Sequence, residues 1–251
     1  MNQSTSDEYF SNIKQNKNLR EQYLKNLLSG IERSQNKKEF LLDNFAPFVP
    51  SNAMIRTLAR YELFKLIVDI PGSVVECGVF AGHGMFSLLH AHYALEPSNV
   101  YRKFVGFDTF QGFPDIHVEF DGTELKPNQY KFDDLELLEF LNSTHRDFWP
   151  EHQQAKLKFV QGNANETIPK YIAENPSFVC ALLYLDVDLY DPTLTALKNI
   201  VLRMQSGAIV AFDELGFEEF PGETKAFFDW AAGEKFKLKK LPYSKITYIQ
   251  L

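Results

Sequence analysis

Residues 11–38 scatter Leu and Ile at helical spacing among charged positions and lead into the apolar loop FAPFVP at 45–50. That pattern predicts an N-terminal helical extension over residues 1–50. A second helical pattern, MIRTLARYELFKLIVDI, offers Met54, Leu58, Leu63, Leu66 and Ile67 for one apolar face and stops at Pro71-Gly72. From there, short apolar runs alternate with helix-like stretches. The runs are VVECGVF (74–80), KFVGFDT (103–109), LKFVQGN (157–163), VCALLYLDVD (179–188) and AIVAFDEL (208–215), several of them continuously apolar, as strands covered on both faces are. Helix-like stretches at 85–95, 166–174, 192–204 and 223–232 complete βαβ units with right-handed crossovers. FKLKKLP and ITYIQL suit a C-terminal antiparallel hairpin. The expectation is an α/β domain over residues 51–251 with a Rossmann-like, mostly parallel, doubly wound sheet. The charged and aromatic segment 114–150, too long for an ordinary connection, is expected to be a lid.

Composition narrows the partners. The chain has 251 residues, 45% of them hydrophobic, enough for one sizeable core rather than two domains. Lys and Arg number 26 against 33 Asp and Glu, a net charge of -7, which offers no footprint for a nucleic-acid backbone or an anionic membrane. The opening residues have no signal-peptide core and no later run is long enough to span a bilayer, so a cytoplasmic protein is expected. Cys77 and Cys180 lie inside apolar runs and read as small buried hydrophobes rather than a disulfide. The N-terminal helices suit an oligomer interface or packing on their own domain, and a homo-oligomer is expected.

In open α/β sheets ligands sit beyond the carboxyl ends of the strands, and here those ends are polar. The first closes in ECGVFAGHG, where Gly78, Gly82 and Gly84 let the backbone approach a ligand before a helix begins. Its spacing is not the G-x-G-x-x-G of a dinucleotide site, and with Glu76 in the strand it favours S-adenosylmethionine over NAD. Asp108, closing the second strand, can accept both hydroxyls of an adenosine ribose, with Val79, Thr109 and Phe110 in the flanking turns. Gly162-Asn163-Ala164, closing the third, either meets the adenine edge or forms a plain turn.

The fourth and fifth ends carry the densest chemistry. Asp186 and Asp188 are two apart and point to one side of an extended strand end, with Asp191 in the turn beyond as a helix cap. Asp213 and Glu214 close the neighbouring strand, so four carboxylates converge, and a hard divalent cation is the expected counter-charge. Arg56 and Arg60, four apart on one helix face, suit a nucleotide-sugar phosphate, the methionine carboxylate or surface ion pairs. Tyr190 and His83 stand beside the candidate site, while His117 and His145 read as surface residues of the insertion.

In order, ECGVFAGHG, GFDTFQGFP, LLYLDVDLYDPT, GAIVAFDELG and FPGETKA resemble the motifs of the macrocin O-methyltransferase family, from about Phe48 to the C-terminus. The resemblance implies a class I S-adenosylmethionine-dependent O-methyltransferase acting on deoxysugar hydroxyls, with a magnesium-type metal. It implies Asp186, Asp213 and Glu214 as metal ligands and Asp188 as general base. Glu76, Gly78, Asp108, Asp186 and the 162–164 turn would then line the cofactor. Antibiotic-tailoring members carry two adjacent aspartates where this chain has Asp213-Glu214, so the third ligand departs from the pattern. A catechol-type methyltransferase, an NAD-dependent sugar-modifying enzyme and an inactive cofactor-binding module are the competing readings.

Overall fold

A computed structural model of the chain describes residues 3–34, 38–123 and 125–251. It divides into two compact units, Met1–Ile55 and Arg56–Leu251. The first holds α1 (Gln3–Arg33), α2 (Lys38–Asp43), a short 3-10 turn at Ala46–Phe48 and the start of α3 (Ser51–Lys65). Leu19, Tyr23, Leu28 and Ile31 are exposed along α1.

The second unit runs β1 (Ser73–Cys77), α4 (His83–Leu95), β2 (Lys103–Asp108), α5 (Val118–Asp121), α6 (Leu135–Phe148), β3 (Lys156–Gln161), α7 (Ala164–Glu174) and β4 (Cys180–Leu185). It continues through α8 (Tyr190–Ile200), β5 (Met204–Phe212), α9 (Pro221–Ala231), β6 (Lys239–Lys240) and β7 (Thr247–Gln250). Among the described residues the strands form one sheet in the order β3-β2-β1-β4-β5-β7-β6. β1 to β5 are parallel, while β7 runs antiparallel to both β5 and β6, so the sheet is mixed as the terminal hairpin predicted.

Strand alternation builds two cores, one on each face. Val74, Phe104, Leu182, Tyr184, Ile209 and Ala211 pack with Ala59, Leu63 and Phe64 of α3, with Ile67 beyond it and with Met85 and Leu88 of α4. Val75, Val105, Leu183, Leu185, Val210 and Phe212 pack with Ile168 of α7, Leu197 of α8 and Phe227 of α9. Cys77 and Cys180 are free thiols inside the second core.

Two expectations are corrected by this packing. The buried face of α3 is Ala59, Arg60, Leu63 and Phe64, whereas Leu58 and Leu66 are exposed. The helix is turned so that Arg60, and not an apolar residue, meets the strand ends. The strands also stop sooner than their apolar runs, β1 at Cys77, β4 at Leu185 and β5 at Phe212. Beyond these ends the chain is loop, where Gly78 closes on the Asp186 carbonyl and Phe80 packs against Tyr130 and Phe132 of the insertion. β1 and β4 are neighbours whose chain paths lead to opposite halves of the sheet, the switch point where open α/β folds hold ligands.

Candidate active site

Glycines let the backbone and charged groups close on one another at the switch point. Gly78 has φ +90, and a Cβ there would lie 1.8 Å from the Asp186 carbonyl oxygen across the β1–β4 gap. A Cβ on Gly84 would lie 1.8 Å from Glu76 Oε1 and 2.6 Å from Arg60 Nε, so the first turn of α4 covers that ion pair directly. Gly82, in the left-handed region, opens α4. Three residues without glycine's freedom also take positive φ at the strand ends: Phe80 (48°), Phe110 (56°) and Asp188 (60°).

Asp108 organises these turns. Its Oδ2 accepts the N–H groups of Val79 and Phe80, both at 2.7 Å, and its Oδ1 accepts Phe110 N–H at 2.7 Å. Where the sequence suggested a carboxylate open to ribose, most of its accepting capacity is spent on the chain itself.

The acids lie on the α3 side of the sheet because alternation puts them there. Glu76 is the register partner of Tyr184, and Asp186 and Asp213 follow Tyr184 and Ala211 by two residues. Arg60, 3% exposed, donates from Nη2 to Glu76 Oε1 at 3.1 Å and to Asp186 Oδ2 at 3.2 Å. Its guanidinium carbon stands 4.2 Å above the Tyr184 ring, whose hydroxyl donates to Asp213 Oδ1 at 2.6 Å. Lys245 closes the other side, with Nζ 2.7 Å from Asp213 Oδ2 and in contact with Glu214 Oε1. Beneath it Glu223, fully buried, accepts the Glu214 N–H at 2.8 Å.

These surroundings displace the acids' proton affinities. Burial, reinforced by Glu214 and Asp213 and opposed by Lys245, pushes the Asp188 carboxyl up to about 7. Burial pushes Glu76 to about 7 against the pull of Arg60. Glu223 and Asp186 stand well above the carboxylate range, burial again leading. Burial also acts to raise Asp213, yet Lys245 and Arg60, with hydrogen bonds from Lys245 and Tyr184, hold it below its ordinary value. One cluster thus contains a committed carboxylate and a carboxyl poised near neutrality.

The divalent-metal expectation finds no support in this arrangement. Asp213 and Glu214 both turn to Lys245, and Asp186 turns to Arg60. Among the described residues no group of three acids or other ligand side chains has the spacing to hold a metal. The donor chemistry suits a hard cation, but the geometry does not fit one, because two cationic side chains supply the counter-charge.

Other candidates fall into place separately. Asp188, on a left-handed φ, is past the end of β4, so strand alternation does not set its direction, though it still feels Glu214 and Asp213. Phe110 is 1% exposed and packs edge-on to Phe159, contributing its N–H rather than its ring. Thr109 bonds within its own turn to Gly112 O and Gln111 N–H. Gly162, at φ +135, donates to Asp108 O, and Asn163 caps α7 by accepting Asn165 N–H at 3.0 Å, the plain-turn reading, with Ala164 opening the helix.

Tyr190 turns away from the acids, its hydroxyl donating to Asp229 at 2.8 Å and its ring lying against Phe120. Arg56 is exposed. Asp191 is not a cap, since Leu189 holds that position; it pairs with His117 Nε2 at 2.7 Å. His83 Nε2 is 3.4 Å from Thr57 Oγ1, and His145 packs on His90 and Phe86.

Lys245, Tyr184, Glu223 and Asp121 escaped the sequence reading. Asp121, 1% exposed, accepts Tyr190 N–H at 2.6 Å and His117 N–H at 2.8 Å, tying the insertion to the loop after β4. A Cβ on Gly222 would meet its Oδ1 at 2.4 Å, the one signal, a glycine at the head of α9, that marked the contact.

A mostly parallel sheet of this order with an antiparallel β7 is the Rossmann-like fold of class I methyltransferases. Residues 33–237 match the model of the macrocin-O-methyltransferase (TylF) family, and the chain belongs to that family. It is similar to a solved calicheamicin methyltransferase, CalS11, at 32% identity and a TM-score of 0.82, covering 90% of each chain. A second, apo structure described as CalS11, TDP-rhamnose 3'-O-methyltransferase, matches at 31% identity and a TM-score of 0.75, covering 90% of this chain and 92% of that one. An 8-demethyl-8-(2,3-dimethoxy-alpha-L-rhamnosyl)-tetracenomycin-C 4'-O-methyltransferase from Streptomyces olivaceus is 25% identical over 165 residues, 63% of this chain. The chain spans 59% of that relative's length.

Proposed function

We propose that the chain is an S-adenosylmethionine-dependent O-methyltransferase that methylates a deoxysugar hydroxyl, carried on a nucleotide sugar or a glycosylated natural product. The observation that carries this reading is Asp188, a buried carboxyl poised at about 7 beside the β1–β4 switch point. The rhamnosyl and TDP-rhamnose acceptors named for the relatives support the acceptor class.

The residues at the ends of β1 and β4 suit the cofactor. Glu76 Oε2, Arg60 Nε and Arg60 Nη1 are buried without a hydrogen-bond partner among the described residues, and an amino-acid ammonium and carboxylate would satisfy them. Gly78 and Gly84 let the Asp186 backbone and the Glu76–Arg60 pair come closer than any side chain would allow, which holds those groups at the strand ends. When bound, S-adenosylmethionine supplies a methyl carbon on a sulfonium, which departs as a neutral thioether. Asp188 then acts as general base, taking the acceptor hydroxyl's proton as that oxygen bonds to the methyl carbon. Its raised proton affinity makes it a stronger base than an exposed aspartate while leaving it substantially ionised at neutral pH.

Residues 114–150 serve in this reading as the lid that excludes water, and exposed Arg56 is available to a nucleotide-sugar phosphate. No helix among the described residues is long and apolar enough to cross a membrane. A cytoplasmic homo-oligomer working on small molecules completes the proposal. Calorimetry with S-adenosylhomocysteine and with NAD, followed by methyl transfer to TDP-rhamnose and to catechol, tests it. Binding of the first ligand and methylation of the sugar are expected; binding of NAD alone, or preference for catechol, would overturn it.

A further inference from the structure

The acid cluster contains a cation that the sequence reading did not foresee. β7 pairs antiparallel with β5 as far as Phe212↔Thr247, two residues short of both Glu214 and Lys245. The turn before it is fixed by Ser244 N–H donating to Leu241 O at 3.2 Å and Ile246 N–H to Ser244 Oγ at 3.3 Å. Lys245 lies in the bend just before β7 and Glu214 in the loop just after β5, so the pairing of those two strands brings the segments that carry them together.

An ammonium has three protons. Two of them go to Asp213 Oδ2, at 2.7 Å, and to Glu214 Oε1. The side chain keeps 38% of its surface open, against 7% and 8% for its two carboxylate partners, and its Nζ stands 5.3 Å from the centroid of the Phe217 ring. The 2.7 Å separation from Asp213 is that of a charge-assisted N–H···O bond. A glutamate following Asp213, one methylene longer than aspartate, gives the second arm the reach to clasp an ammonium carried by the bend before β7.

We propose that Lys245, clasped by Asp213 and Glu214, does the work of a divalent ion in presenting the acceptor hydroxyl, so that methyl transfer proceeds without metal. This rests on the methyltransferase reading above. The acceptor oxygen receives the third N–H of Lys245 and gives its own proton to Asp188. The new O–C bond forms as the C–S bond breaks, its electron pair staying on sulfur. Lys245 keeps its protons throughout and lowers the cost of charge developing on oxygen, the role of an oxyanion-hole donor.

The test uses full-length protein freed of metal by chelation. Manganese binding followed by electron paramagnetic resonance is expected to show no stoichiometric site in the wild type and a new one in Lys245→Met, whose acids lose their counter-charge. Methyl transfer to TDP-rhamnose by the wild type is expected to be equal with chelator and with millimolar magnesium. It should fall by about 100-fold or more in Lys245→Met, with S-adenosylhomocysteine binding unchanged. Stoichiometric manganese binding by the wild type, or chelator-treated wild type that is inactive until magnesium is restored, would overturn the proposal. If Lys245→Met does not fold, the wild-type manganese titration decides alone. Absence of S-adenosylhomocysteine binding would instead sink the methyltransferase reading, leaving that titration to judge Lys245.

Discussion

Asp188 concentrates the chemistry of the site in one side chain. Its carboxyl is raised to about 7 in the folded chain, so the folded state favours the neutral acid. The stability this gives is complete below the ordinary aspartate value of about 3.9 and is lost as pH rises through about 7. Activity and stability should therefore respond to pH in opposite directions. The rate profile of kcat/KM should climb with pH and level off near 7, because only the carboxylate can take a proton. Asp188→Asn should lose turnover, keep S-adenosylhomocysteine binding, and be more stable than wild type above pH 7, by about 4 kcal/mol as an upper bound. A melting series at pH 5 and pH 8 should show the gap widening with pH; a gap of constant size would mean that the carboxyl is not strained by its charge. Gly78→Ala, whose methyl would lie 1.8 Å from the Asp186 carbonyl oxygen, should cost about 4 kcal/mol or more, read as lost folded protein in urea titration.

Between elements, one carboxylate joins the insertion to the catalytic loops. Asp121 at the end of α5 is bonded to the first residue of α8 and fills the space left by Gly222 at the start of α9. Asp121→Ala should therefore loosen the insertion without touching the β1 turn. Its expected signature is faster amide exchange across residues 117–122 and a raised KM for the sugar, with cofactor affinity unchanged; an equal loss of cofactor affinity would mean that the element is not specific to the acceptor side. The strands themselves were legible because βαβ crossovers impose long apolar runs, although β1, β4 and β5 end before those runs do. The buried face of α3 was not, since a buried arginine breaks the apolar periodicity on which such a reading depends. Lys245 was invisible for a related reason: its meaning lies in a contact with Asp213 and Glu214 some thirty residues away in sequence, and no local pattern reports a long-range contact. Four clustered acids do need a counter-charge, but their spacing alone cannot tell a bound ion from two side chains distant in sequence.

At the scale of the molecule, ligand binding and stability are linked. A cofactor that binds only the folded unit raises its stability by about 2.7 kcal/mol when present at a hundred times its dissociation constant. S-adenosylhomocysteine should accordingly raise the melting temperature by several degrees while NAD leaves it unchanged, and thermal-shift measurements over a concentration series would show it.

Phe80, Phe110 and Asp188 occupy backbone conformations that glycine would hold more comfortably, and all three sit in the turns that succeed parallel strands. A laboratory evolution scheme rewarding heat resistance alone would be drawn to such positions first, because relief there is cheap. The resulting lineage would grow sturdier as it went silent, so any screen for durable variants of this chain should score methylated product in the same round.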